Sequence, residues 1–203
     1  MRYTSIIVIA LIPFLVSSSN AEQWGTQTDA LIERPGTKVI TGKAKDGAKT
    51  REIHLQSGVS FFETRRGNKI SSYSVDRSGL NAVICIWRIY VGLKTAMEIC
   101  PSGTDEDLKV ELDSAIDRIN RFILENSISP VTKAQLNKSI EKRILRARTK
   151  IKQLRKENPK VTCLSRYSKQ MLKNLKSMPR EKFRSGIDKL LSVPRPPVLN
   201  PCL

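Results

Sequence analysis

The sequence predicts an α+β protein in which an antiparallel β-meander precedes a group of helices. Three observations predict it: short β-like runs separated by turn signals, a switch to helical apolar spacing after residue 103, and an even number of cysteines behind an export signal. They divide the chain into four parts. These are a signal peptide at 1–21, an N-terminal arm at 22–36, an antiparallel β region at 37–103, and a basic helical region with a proline-rich tail at 104–203.

The first 21 residues have the pattern of a secretory signal peptide. Arg2 precedes an apolar run at 6–16, and Ser19 and Ala21 place small residues at the positions that signal peptidase prefers. The run is shorter than the roughly 20 apolar residues of a membrane span, so an uncleaved anchor is the less favoured alternative. We therefore expect a mature chain that starts at Glu22 and is secreted, either to the periplasm or outside the cell.

The arm at 22–36 is polar, with one short helical turn expected around residues 29–34. After it, β-like runs alternate with turn residues such as Asp46-Gly47 and Gly67-Asn68, and Ile53 is expected to face inward. The predicted strands cover residues 38–41, 50–56, 59–64 and 69–76, and two further strands come from the next segment.

The most apolar segment after the signal peptide, residues 81–101, is predicted to form a hairpin. Cys85 and Cys100 lie symmetrically about Gly92-Leu93, so folding the segment there brings the two cysteines opposite one another. We expect a Cys85–Cys100 disulfide that closes this hairpin, which leaves Cys163 to pair with Cys202. Four cysteines allow three pairings, and a free Cys202 is the alternative.

Helical spacing begins after Thr104, a good N-cap that is followed by three acidic residues. The first long helix carries an apolar stripe with steps of 4, 3, 4 and 3 residues, and the second long helix, capped by Ser129 with Pro130 in its first turn, repeats it. Matching stripes and a short connection predict an antiparallel αα-hairpin. The stripes are Leu108, Leu112, Ala115, Ile119 and Phe122 in the first helix, and Ile140, Ile144, Ala147, Ile151 and Leu154 in the second. Two shorter helices, at 164–178 and 179–191, and an extended tail complete the prediction.

Positive charge is concentrated in the last third of the chain. Residues 22–132 contain 15 Lys/Arg and 15 Asp/Glu, whereas residues 133–189 contain 19 Lys/Arg and 4 Asp/Glu. Eight of these bases are expected to form two outward stripes, one on each of two neighbouring helices. The stripes are Lys142, Arg146, Lys152 and Lys156 on the second long helix, and Arg166, Lys169, Lys173 and Lys176 on the helix that follows.

Such stripes predict a surface that attracts an anionic macromolecule, either an acidic protein or an envelope polyanion. A merely solvated face is the alternative, since the acidic first helix can neutralise its neighbours. Nucleic acid is not favoured, because few aromatic residues lie among the bases. Peripheral membrane contact remains an alternative, although these helices have no tryptophan to anchor them.

Catalysis has little support in the sequence. His54 is the only histidine, and no nucleophile elbow, zinc-protease motif or phosphate-binding glycine loop is present. We expect a non-catalytic protein without cofactor or metal, since paired cysteines and one histidine leave a zinc site short of ligands. The alternative is a small hydrolase-type enzyme centred on His54, which an outward-facing Glu52 could orient.

Overall fold

The computed structural model describes residues 24–100, 105–158 and 163–202, and it confirms the α+β class. A four-stranded antiparallel sheet is followed by helices. The predicted signal peptide lies outside the described residues and stays a prediction. The elements are α1 (Asp29–Ile32), β1 (Lys38–Lys43), β2 (Lys49–His54), β3 (Val59–Arg66), β4 (Lys69–Asp76), α2 (Val83–Ile99), α3 (Glu106–Asn126), α4 (Lys133–Glu157), α5 (Arg166–Ser177) and α6 (Arg180–Leu190).

The sheet is the predicted meander, with strand order β1-β2-β3-β4. Ile53 is fully buried and lies opposite Phe61, so the predicted inward face is confirmed. The β2–β3 turn contains Gly58 at φ +87°, and a Cβ added there would lie 2.8 Å from the backbone of Ser78. A side chain is therefore excluded at that position both by conformation and by space.

The predicted hairpin at 81–101 is wrong, because this segment forms the helix α2. Fifteen residues of helix separate Cys85 from Cys100 by roughly 22 Å, which is far beyond the reach of a disulfide. The disulfides are instead Cys85–Cys202 and Cys100–Cys163, with Cα–Cα distances of 5.2 and 5.8 Å. The predicted pairs 85–100 and 163–202 are thus both corrected, and the sheet has four strands in place of six.

The apolar character of α2 comes from its position among other helices. It contacts α3, α4 and α5, so its apolar residues are distributed around the helix rather than along one stripe. A helix that is apolar on all sides is a buried helix. Its β-branched residues and symmetrically placed cysteines are also typical of a β-hairpin, which is why the sequence predicted one. Neither property excludes a helix.

The predicted stripe of α3 is confirmed, since its apolar residues are buried in the helical core. The side chain of Asp105 caps this helix by accepting a hydrogen bond from the Leu108 N–H at 3.1 Å, while the predicted cap Thr104 lies outside the described residues. Helix α4 begins later than predicted. Thr132 and Gln135 form a reciprocal capping box, so Ser129 is not the cap.

The C-terminal tail lies between the sheet and the helices. Asn200 accepts a hydrogen bond from the Asp76 N–H at 2.7 Å, and Val198 accepts one from the Ile84 N–H at 3.0 Å. The Cys85–Cys202 disulfide secures the end of the tail to α2. The tail thereby joins the two parts of the fold, although through a different cysteine from the predicted one.

Candidate functional site

Helix α4 lies on the surface of the helical group with one face against its neighbours. In this helix only Leu136 is fully buried, and the predicted stripe is half-buried. The remaining circumference faces solvent. This exposure explains how a helix with so many charged residues is accommodated.

The basic side chains of α4 are exposed and have no acidic partner. Within the described residues, none of the ten forms an ion pair within 4.0 Å. Glu157 accepts a hydrogen bond from Gln153, an uncharged neighbour. The ten are Lys133, Lys138, Lys142, Arg143, Arg146, Arg148, Lys150, Lys152, Arg155 and Lys156.

The acidic residues of α3 and its cap interact with other helices. Asp113 binds Lys94 of α2 at 2.5 Å, and Glu111 pairs with Arg184 of α6. The Arg184 hydrogen bond lowers the pKa of the Glu111 carboxyl. Neutralisation of α4 by the acidic first helix, which the sequence left open, is therefore not supported by these contacts.

Asp105, the cap of α3, lies near the predicted stripe of α5. It lies 3.7 Å from Lys176 and 3.8 Å from Arg180. The backbone hydrogen bond from Leu108 lowers the pKa of the Asp105 carboxyl, and these two cations lower it further. Lys176 is thus partly neutralised within the fold.

The structure places the eight predicted residues in separate groups. Lys152 and Lys156 line a groove of about 600 Å³ that also contains Glu98. Lys169 and Lys173 line a smaller cavity of about 200 Å³ together with Lys176. The other three lie outside both cavities, on exposed positions of α4 and α5: Lys142, Arg146 and Arg166. We call the exposed bases of α4 together with the four of α5 the basic surface.

A pocket that the sequence did not predict lies between α2, α4 and α5. Its volume is about 470 Å³ and its walls are largely apolar. Arg88 of α2 and Arg143 of α4 both line it and are close enough for their charges to interact. Partial burial, and then the positive charge of Arg88, lower the pKa of the Arg143 guanidinium. The prediction missed this pocket because it placed the α2 segment in a sheet.

His54 lies within a short chain of hydrogen bonds on the sheet. Its Nδ1 is 2.9 Å from the Ser60 Oγ on β3, and its Nε2 is 3.1 Å from the Glu52 carboxylate. The strand register, which pairs residues 54 and 60, produces the first contact. Ser60 is only 4% exposed, however, so its hydroxyl has little access to a substrate.

Other kinds of site are not apparent in the described parts of the chain. No group of three or more His, Cys, Asp or Glu side chains there is arranged to hold a metal ion. None of the helices in those same residues is long and apolar enough to cross a membrane. The two disulfides are compatible with a secreted protein or an oxidising compartment.

Comparison of the chain with protein-family models, curated proteins and solved structures finds no match. Function is therefore inferred from the geometry and charge of the chain itself.

Proposed function

We propose that the protein is a secreted, non-catalytic binding protein that uses the basic surface to engage an anionic macromolecule, either an acidic protein or an envelope polyanion. One observation carries the proposal: the ten bases of α4 have no ion-pair partner within the described residues. Surface charges that are left without intramolecular partners are available to an external one.

The spacing of these bases destabilises the isolated helix through repulsion between like charges. Like charges four residues apart on a helix destabilise it by about 0.2–0.5 kcal/mol per pair. Helix α4 contains several such pairs: Lys138 and Lys142, Lys142 and Arg146, Arg146 and Lys150, Arg148 and Lys152, and Lys152 and Lys156. An anionic partner would remove this repulsion, so its binding would also stabilise the fold.

The aromatic residues near the basic surface favour a protein or a polyanion over single-stranded nucleic acid. Of the three aromatic residues after position 121, Phe122 and Phe183 are buried in the core, and Tyr167 alone is exposed, at 59%. A single exposed ring offers little base stacking. Charge complementarity that steers association is the mechanism that these residues support best.

The proposal is tested by charge reversal with a matched control. In the first variant Arg146, Lys152, Lys169 and Lys173 are all changed to Glu. In the control variant four exposed lysines of the sheet region, which have no ion pair among the described residues, are changed to Glu: Lys38, Lys43, Lys45 and Lys69. Both variants change the net charge of the protein equally.

The measurement is affinity capture from the native medium or envelope fraction, with quantitative mass spectrometry of the captured molecules. The helix variant should lose the partner that wild type retains, and the control variant should keep it. Capture that both variants lose equally would show a general charge effect and contradict a local surface. Flotation with anionic and neutral liposomes, repeated at high salt, tests for membrane contact. Binding to anionic liposomes alone that is lost at high salt would identify the lipid surface as the captured partner.

A second candidate function is hydrolysis at His54, which the Ser60–His54–Glu52 hydrogen bonds favour. The burial of Ser60 weighs against it. The purified protein would be incubated with activated ester substrates and with a fluorophosphonate probe. Turnover that His54→Ala abolishes, with labelling of Ser60, would support this candidate, and an inert protein would remove it.

A further inference from the structure

The pocket between α2, α4 and α5 has the size and lining of a small-molecule site. Its volume of about 470 Å³ falls within the range of about 300–1,000 Å³ that is typical of ligand pockets. The walls include aliphatic side chains of α2, of α4 and of the segment just before α5: Ile89, Leu93, Ala96, Ile151, Leu154 and Leu164. An apolar chain would find van der Waals contacts there that water cannot provide.

Two arginines, Arg88 and Arg143, line this apolar pocket. The Nη2 of Arg143 lies 3.7 Å from the position that a Cβ on Gly92 would occupy, so the guanidinium rests against α2, near Arg88. Neither arginine has a hydrogen-bond or ion-pair partner in the part of the chain that the structure describes. Two neighbouring like charges without an anion between them repel each other.

The wall between α2 and α5 is held in place covalently. Cys163, just before α5, lines the pocket and is bonded to Cys100 at the end of α2. The bond connects the two walls of the pocket, and a covalent constraint of this kind reduces the entropy that binding costs.

We propose that this pocket binds a single-chain amphiphile with an oxyanion head group, whose alkyl chain lies between α2, α4 and α5 and whose carboxylate or phosphate pairs with Arg88 and Arg143. Planar guanidinium groups bind both kinds of oxyanion through two parallel hydrogen bonds. Arg143 also belongs to the basic surface, but the inference rests on the pocket and not on the proposed function, and neither arginine is among the residues reversed to test that function.

The experiment is calorimetric titration of the full secreted protein with laurate and with dodecyl phosphate, each as a monomer. Lauryl alcohol serves as the neutral analogue with the same chain. The test variant is Arg88→Gln with Arg143→Gln, both at exposed positions. The control is Arg148→Gln with Arg155→Gln, which removes two arginines from the neighbouring groove that do not line the pocket.

Wild type should bind at least one of the two anions saturably at a ratio of one to one. The test variant should bind it about tenfold more weakly or worse, since charge-assisted hydrogen bonds are lost. Wild type should bind lauryl alcohol with a similarly reduced affinity, because the alcohol has no anionic head group. The control variant should bind the anion as tightly as wild type. The anion that binds more tightly identifies the head group.

A pocket-filling variant, Ala96→Phe, tests the position of the alkyl chain and should reduce the affinity for both anions. The proposal is overturned if wild type binds neither anion, if the test variant binds as tightly as wild type, or if the alcohol binds as tightly as the acid. Binding to anionic vesicles alone, without binding of either monomeric amphiphile, would also overturn it. None of these outcomes changes the capture experiment on the basic surface.

Discussion

Two buried arginines, Arg51 of the sheet and Arg195 of the C-terminal tail, have surroundings opposite to those of the bases of α4. Arg51 and Arg195 are each only 1% exposed and bind carboxylates inside the protein, whereas the bases of α4 are exposed and have no such partner within the described residues. In the first case the charge is part of the folded structure. In the second it is left to the solvent or to another molecule.

Arg51 lies at the centre of a network beneath the N-terminal arm. It binds Glu63 at 2.5 Å and Asp29 at 2.6 Å, and its guanidinium lies 4.8 Å from the ring of Trp24. Burial alone would raise the pKa of the Asp29 carboxyl, but hydrogen bonds from Arg51 and the backbone of Trp24 lower it overall. The arm is thus part of the packed structure and not a loose extension.

Arg195 has a similar role in the C-terminal tail. It binds Asp76 at 2.7 Å and donates to the carbonyl oxygens of Leu190 and Asn81 at 2.9 and 3.0 Å. A buried pair whose remaining donors are also satisfied is tolerated in a protein interior. Net charge alone therefore does not show which basic side chains are available to a partner; the contacts that each side chain makes inside the fold must also be known.

The largest expected loss of stability follows removal of the disulfide that joins the sheet region to the helices. Changing Cys85 and Cys202 to Ser should lower the free energy of unfolding by about 4–5 kcal/mol, because the bridge closes a loop with a sequence separation of 117 residues. Urea unfolding of the two proteins measures the loss. Peptide mapping without reduction should recover 85–202 and 100–163, and recovery of 85–100 would refute the assignment of α2 as a helix.

Removal of a buried arginine should have the next largest effect. Arg195→Met leaves Asp76 buried without its partner and should cost about 3–5 kcal/mol in unfolding free energy. Arg146→Met on α4 is the matched change and should stay within about 0.5 kcal/mol of wild type. Similar losses in both variants, measured by urea unfolding, would abolish the distinction between the two regions.

A smaller loss of stability is expected at the cap of α3, where the Asp105 carboxylate accepts a hydrogen bond from the first turn of the helix. Asp105→Ala should cost about 1 kcal/mol at neutral pH, since the Leu108 N–H loses its acceptor. The lowered pKa of Asp105 means that its carboxylate stabilises the fold above the unfolded-state pKa and loses this effect as the pH falls through the folded-state value.

The difference between wild type and Asp105→Ala should therefore shrink in strong acid, which urea unfolding at neutral pH and near pH 2 would detect. Asp107→Ala, on the neighbouring exposed residue, is the control and should have a smaller effect. A difference that is the same at both pH values would argue against a role for the ionised carboxylate.

The smallest effect on stability is expected for the basic surface itself. Reversal of Arg146, Lys152, Lys169 and Lys173 to Glu should change the unfolding free energy by only a few tenths of a kcal/mol per site, because no ion pair is broken within the described residues. Thermal unfolding at low and high salt measures this change. A loss of several kcal/mol would show that these bases stabilise the fold and would weaken their role in binding.

The sequence predicted those parts of the fold that depend on local patterns. The period of two with glycine turns located β1 to β4, and the steps of 4 and 3 residues located α3, because side-chain spacing determines which face is buried. Helix α2 was missed because a helix that packs against three others has apolar residues on several sides and so has no such stripe. The disulfide partners were missed for a related reason, since spacing along the chain does not fix distances through a fold.

The candidate site was predictable only in part. The concentration of bases in α4 and α5 was visible in the sequence. That the bases of α4 have no ion pair within the described residues could be seen only from the positions of the carboxylates of α3 and its cap, which lie near α2, α5 and α6. The Arg88–Arg143 pair brings together residues from two helices, one of which was predicted as a strand. No local pattern contains that information.

The most direct measurement of the central claim is the salt concentration at which the protein elutes from immobilised polyglutamate. Wild type, the variant with four reversed bases on α4 and α5, and the control with four reversed lysines in the sheet region would be compared. The account predicts that the helix variant elutes at much lower salt than the control, although both carry the same net charge. Elution of the two variants at the same salt would contradict it.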